Sequence, residues 1–307
     1  MKIEYLPNLP SAGGKIDLSA FKKKEKPTRP EDFLPALTKS LRSQAEEINS
    51  EFPGLLTDSA QIEMVGPEAE KDSSLVAQQE FGFASSSGKQ EERWREDRDK
   101  NPSNLTEIAL TLLFHKFLKN DFIVARASAY DDYNNGVDLV LIDKKTGAIV
   151  CGFDEVITHF KDGNSPKKEE KLKRKMQAGG ARLKYGAFIK EGRLERGSRH
   201  NLPAFYLALT RNELDDLLPV LAQQAEGNNG QKKESQQGPE VPESLEKLFV
   251  SLATSLDNQL RVFAANRNLH PHLLDNLNKF QSSLLKIKTA SQSEKQEEID
   301  VLAANAA

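Results

Sequence analysis

Gly136-Val137-Asp138-Leu139-Val140-Leu141-Ile142 and Ile149-Val150-Cys151-Gly152-Phe153-Asp154-Glu155-Val156-Ile157 are the stretches from which the fold is read. Each is an aliphatic run of strand length, and each is interrupted by acids, which are poor strand formers. Between them, Lys144-Lys145-Thr146-Gly147 has the composition of a tight hairpin turn, so the two runs become neighbours in one sheet. Val137 to Ile142 is nearly all apolar, which suits a strand covered on both faces. A carboxylate buried alone is costly. Asp138 at the start of one strand and Asp154 and Glu155 in the other therefore call for a cation. Successive strand residues face opposite sides, so only one of Asp154 and Glu155 is expected to point with Asp138.

The segments around this hairpin complete an α/β pattern. Pro102, with Ser103 or Asn104 as cap, opens an apolar-rich helix ending near Lys119. Phe122 to Ala129 reads as a strand, and Asn134-Asn135-Gly136 as a turn. Pro166 to about Gln177 is a charged helix stopped by Gly179-Gly180. Leu183 to Ile189 and Pro203 to Leu209 read as strands, and Glu213 to Ala225 as a closing helix. The expected domain, 101–226, is a mixed central sheet flanked by helices.

Outside it the signal is weaker. Half of the 14 prolines fall in residues 1–100, among Ser-rich and charged stretches. This region is expected to be largely disordered or extended, with short helices such as one from Asp32 to Ser50. The run from Glu91 to Lys100 holds the only tryptophan, Trp94, and reads as a helix leaning on the domain or as a solvated linker. Gly227 to Pro242 is a linker. Residues 243–290 carry two narrow apolar stripes, Leu245, Phe249, Leu252, Leu256 and Leu273, Leu277, Phe280, Leu284, Ile287. They predict an antiparallel helical hairpin packed on the domain or on another copy of the chain. Residues 291–307 are expected to fray.

Composition narrows the function classes. The 307-residue chain nets −3, but Lys161 to Arg199 holds 13 Lys and Arg against 5 Asp and Glu. Cys151 is the only cysteine, which excludes disulfide and cysteine-zinc scaffolds within one chain and fits a reducing compartment. No signal-peptide-like run and no span of roughly 18 apolar residues occurs, so a cytoplasmic protein without a membrane segment is expected. Neither a dinucleotide-binding glycine motif, nor a phosphate loop, nor a Gly-x-Ser-x-Gly elbow occurs. His270-Pro271-His272 lacks further convergent ligands, and Cys151 should be an inert core thiol.

Two or three carboxylates suit Mg²⁺ or Mn²⁺, which keeps waters and meets phosphate oxygens. Glu107, in the first turn of the helix after Pro102, is a candidate third acid. Its alternative is a capping box with Asn104. Asp131 and Asp132 read as solvated loop acids.

The element order, Asp138 opening a strand, and an acidic pair 16 and 17 residues later resemble the PD-(D/E)XK, or restriction-endonuclease-like, nuclease superfamily. The resemblance covers about residues 104–210. It implies a restriction-endonuclease-like core, metal ligation by Glu107, Asp138 and either Asp154 or Glu155, and a lysine two residues beyond the last acid. Val156 and Ile157 stand where that lysine is expected. Lys161, Lys171, Lys173 and Lys175 are the nearby substitutes. Lys171, Lys173, Arg174, Lys175 and Arg182 are the candidate phosphate-backbone contacts. Their alternative is a solvated helix face with pairs such as Glu170–Arg174. The expected function is metal-dependent phosphodiester hydrolysis on nucleic acid. The alternative is a non-catalytic module of the same fold that binds nucleic acid or a protein partner, with self-association through the C-terminal helices.

Overall fold

The computed structural model describes residues 29–158, 166–227, 242–266 and 269–305. Its centre is a four-stranded mixed sheet in the order β1-β2-β3-β6, made of β1 (Phe122–Arg126), β2 (Leu139–Asp143), β3 (Ile149–Thr158) and β6 (Ala204–Thr210). The first three strands form an antiparallel meander, and β6 runs parallel to β3. The two acid-bearing runs are thus paired neighbours, with Leu139 opposite Phe153. β1 stops at Arg126 and β2 starts at Leu139, so Asp138 lies just before its strand rather than within it.

Helix α4 (Pro102–Leu118) crosses the sheet and is buried almost all round. It packs on β1 and β3, and α1 (Leu34–Glu51), α6 (Arg211–Gly227), α7 (Glu243–Ala264) and α8 (Pro271–Asn305) surround it. This double coverage explains its continuous apolar sequence better than a one-sided stripe would. Its cap is Asn101, whose side chain accepts from the Ser103 amide at 2.9 Å; Ser103 and Asn104 lie inside the helix. Asn104 donates instead to the Asp99 carbonyl at 2.8 Å.

The segment before residue 101 holds more structure than its composition suggests. Besides α1, it forms α2 (Ala69–Ser86) and α3 (Glu91–Asp99). Leu37, Leu41, Ala45 and Ile48 of α1 belong to the same core as the sheet. Residues 1–28 lie outside the described residues. The backbone of residues 60–62 pairs along β1: Arg126 N donates to Ala60 O (2.8 Å) and Ile62 N to Arg126 O (3.0 Å). Gln44 adds a side-chain bond to Val124 O at 2.9 Å.

β4 (Ala181–Lys190) and β5 (Arg193–Leu202) form a separate two-stranded ribbon. β4 is therefore not part of the central sheet, and β5 has no counterpart in the sequence reading. Of its ten residues only Leu194 and Leu202 are buried, so its apolar signal is faint and its pairing with β4 defines it. The charged helix α5 (Pro166–Gln177) lies between β3 and β4, seating Leu172 and Met176 in the core.

The C-terminal hairpin docks on the domain. Phe249 of α7 stacks on Phe117 of α4 with ring centroids 4.4 Å apart, and Phe280 of α8 lies 4.5 Å from Phe205 of β6. Both apolar stripes are covered within one chain. α8 continues to Asn305, past the point where the sequence suggests fraying. Among the described residues no helix is long and apolar enough to cross a membrane.

Candidate active site

A cavity of about 940 Å³ opens where the N-terminal end of α4, the turn before β2 and the middle of β3 meet. Glu107, Asp132, Asp138, Asp154, Glu155, Arg126 and Lys171 all line it. The four acids named from the sequence are therefore brought together. Both Asp154 and Glu155 reach the cavity, although alternation admits only one of them to the face of Asp138. Each is nearly buried, at 8% and 9% exposure.

Local geometry explains the convergence. Residues 131–135 form a single wide helical turn closed by Gly136, whose φ of 58° lies in the left-handed region. Asp131 anchors that turn. It is fully buried and accepts from Ser128 Oγ (2.8 Å), Asn135 Nδ2 (2.7 Å) and the amides of Lys184 (2.7 Å) and Tyr185 (3.0 Å). Asp132, next in sequence, faces the cavity and is hydrogen-bonded to Asp138. Neither is a solvated loop acid. Asp138 is held across to β3 by the Glu155 amide, which donates to its Oδ2 at 2.7 Å. Gly152 lets the strands approach: a Cβ there would meet Val137 Cγ1 at 2.8 Å.

The acids differ in how they are balanced. Glu107 accepts from Arg126 Nε at 2.7 Å, and both side chains are largely buried. This buried ion pair replaces the capping box. Asp154 pairs with Lys171 Nζ at 3.5 Å. Among the described residues, both carboxylate oxygens of Glu155 are buried without a hydrogen-bond partner. Burial, then the charges of Asp138 and Glu107, push the Glu155 carboxyl well above its usual range, while Arg126 pulls the other way. Burial and the neighbouring Asp132, Glu107 and Asp154 do the same to Asp138. Asp132 is raised to about 6, by burial first and then by Glu107. Like charges this close disfavour one another's ionised forms.

Among the described residues, no three His, Cys, Asp or Glu side chains converge tightly enough to grip one ion as they stand. The donor chemistry nevertheless fits a hard cation, and Glu155 supplies two uncommitted buried oxygens.

Of the three substitute lysines among the described residues, only Lys171 lines the cavity. Lys161 lies outside the described residues. Lys175 donates to the carbonyls of Asn135 (2.9 Å) and Gly136 (2.6 Å), tying α5 to the turn below the acids. Lys173 is half-buried and away from the cavity. Arg174 is exposed and bonds Glu170 at 3.0 Å, the pairing expected of a solvated helix face. Arg182 is exposed on β4. Among the described residues, the basic side chains therefore do not form one continuous face with the acids.

Two lining residues escape sequence reading. Asp132 carries no local signal, because burial of its turn depends on Asp131 reaching β4. Arg126 did leave a trace: a cation ending an apolar strand needs an anion, and Glu107 is the one in reach. Elsewhere, burial pushes the Cys151 thiol up, consistent with an inert core residue. His270 and His272 pack with their rings tilted, centroids 5.4 Å apart. The chain matches no family model, no curated protein and no solved structure.

Proposed function

We propose that the chain is a metal-dependent, nuclease-like hydrolase of nucleic-acid phosphodiesters, of the restriction-endonuclease-like kind that its strands resemble. The observation that carries this reading is Glu155: a carboxylate whose two buried oxygens lack partners, facing a cavity shared with Asp138 and Asp154. Leaving such a group unpaired is costly. Asp138, Glu155 and Asp154 would hold Mg²⁺ or Mn²⁺. Bound there, the ion supplies Lewis acidity, which lowers the pKa of a bound water and offsets charge on the phosphate.

The chain's own residues account for the rest. Arg126 holds Glu107 in an ion pair, so Glu107 is not a free ligand. The Glu155 amide holds Asp138 in place. Lys171 stands beside Asp154, where its ammonium can steady a water or meet a phosphate oxygen, the role for which β3 offers only Val156 and Ile157. A cytoplasmic location accords with the single reduced cysteine.

The second reading, a module that binds nucleic acid without cutting it, is favoured by one observation. Lys171 comes from a helix, is 55% exposed and touches Asp154 only at 3.5 Å, a looser placement than a strand lysine would have. One assay separates the two. Purified protein is incubated with single- and double-stranded DNA and RNA, with Mg²⁺, Mn²⁺ or chelator. Cleavage that needs metal and falls by at least about 100-fold in Asp138→Ala and Glu155→Gln is the result expected of the hydrolase. Salt-sensitive binding without cleavage is the result expected of the module. No binding at low salt excludes both.

A further inference from the structure

The cavity that the acids line is lined by aromatic side chains as well. Phe83 of α2, Trp94 of α3 and Tyr133 of the turn before β2 all line it, together with Arg98. Phe83 lies between the other two, with ring centroids 6.2 Å from each, at 13° to Trp94 and 30° to Tyr133. This spacing is open compared with the 4.4 Å of the core pair Phe117–Phe249. Phe83 is also 52% exposed. The Arg98 guanidinium sits 5.4 Å from the Trp94 ring centre and donates to Tyr133 Oη at 3.1 Å. Glu80 holds Arg98 from the other side, takes a bond from Arg95 Nε at 3.1 Å and is almost buried.

A single exposed phenylalanine needs no explanation. Three rings and a guanidinium braced by a nearly buried glutamate, on the wall of a cavity that Asp132, Asp138, Asp154 and Glu155 also line, do. None of the three rings belongs to the hydrophobic core: Phe83 and Trp94 come from α2 and α3, and Tyr133 from the turn before β2. Aromatic faces beside a cation bind π-systems, and each base stacked on such a side chain contributes about 1–3 kcal/mol. In a duplex both faces of a base are already covered by its neighbours, so the platform is open only to an unstacked base.

We infer that Phe83, Trp94 and Tyr133, with Arg98, form a stacking platform for an unpaired base, making single-stranded nucleic acid the substrate class of this site. The inference rests on the nucleic-acid reading above and adds strand specificity to it. The base lies on the rings while its backbone phosphate faces Asp138, Asp154 and Glu155 across the same cavity.

Trp94 is the only tryptophan, so its fluorescence reports on the platform alone. The full chain is titrated, with Ca²⁺ in place of Mg²⁺ to suppress turnover, with three probes of one length. These are a single-stranded oligonucleotide, its blunt duplex and an abasic strand. The single strand is expected to quench Trp94 and to bind roughly 5- to 100-fold more tightly than the other two. Phe83→Ala is expected to weaken single-strand binding by a similar factor. Phe81→Ala, on a residue 58% exposed and outside the cavity lining, leaves it unchanged and controls for surface hydrophobicity.

Quenching and the Phe83 effect in a protein that cuts nothing with any metal support the platform while removing the hydrolase. Metal-dependent cleavage with no quenching and no Phe83 effect overturns the platform and leaves the hydrolase standing. Equal binding of duplex or abasic strand also overturns it. Absence of binding to any probe at low salt overturns both.

Discussion

Asp132 shows what the fold does to single acids. Its carboxyl sits at about 6 instead of 3.8 because it is buried and lies beside Glu107, a rise that its hydrogen bond to Asp138 offsets only in part. A raised acid keeps in the native state a proton that the unfolded chain has released. Native protein therefore binds more protons than unfolded between about pH 4 and about pH 6, and stability falls as pH rises through that window. Asp138 and Glu155, also raised, extend the loss upward. The expected result, in chelator, is a thermal midpoint that drops on going from about pH 4.5 to about pH 7.5. Mg²⁺ or Mn²⁺ should raise it more at the higher pH, and Asp132→Asn should flatten the lower part of the curve. A midpoint that rises with pH, or is indifferent to metal at neutral pH, would count against a cation at these acids. At this scale the sequence was partly legible. Asp138, Asp154 and Glu155 announce themselves because acids interrupt apolar runs. Asp131 and Asp132 do not, since their burial depends on amides of Lys184 and Tyr185 more than fifty residues away.

At the scale of elements, the approach of β2 to β3 sets the site. Gly152→Ala would drive a methyl toward Val137 Cγ1, which is fully buried one residue before Asp138. Overpacking of this kind costs roughly 1–3 kcal/mol. The displaced Val137 should also shift Asp138, lowering activity beyond the stability loss. Adding Val137→Ala should restore activity in the double variant, measured by urea unfolding and by the cleavage assay; failure to restore it would remove the packing explanation. Periodicity and turn residues sufficed for α4, β2, β3, α5 and β6, whose patterns are set by packing on one sheet. β5 leaves little trace in the sequence because ribbon pairing, not burial, makes it a strand. The cap of α4 lies two or three residues before the Ser103 or Asn104 that the sequence suggests, because Asn101, Ser103 and Asn104 are all competent caps and the bond from the Ser103 amide selects Asn101.

At the scale of the whole molecule, the domain edge drawn at residue 101 from composition cuts through the core. α1 covers α4 with Leu37, Leu41 and Ile48, and α2 and α3 carry the aromatic wall. A fragment of residues 101–227 is expected to lack a cooperative thermal transition, whereas residues 29–305 should show one by circular dichroism. A cooperative melt of the short fragment would restore the compositional boundary. The apolar stripe of α1 is legible because it joins the core, whereas charge conceals how α2 and α3 belong to the domain, since neither adds a residue to that core.

The strands at the two sides of the sheet are each occupied from outside it. Residues 60–62 line β1, and Gln259 of α7 grips the Tyr206 backbone on β6, accepting from its amide at 3.0 Å and donating to its carbonyl at 2.9 Å. Unpaired strand edges are templates on which a second chain can add. Here a sequence-distant helix and an extended segment take those positions, so growth by strand addition, ordered or amyloid-like, is blocked while α7 stays docked. Gln259→Leu should expose this protection. Losing both bonds costs about 1–3 kcal/mol, and light scattering on warming should show aggregation beginning below the thermal midpoint rather than after it.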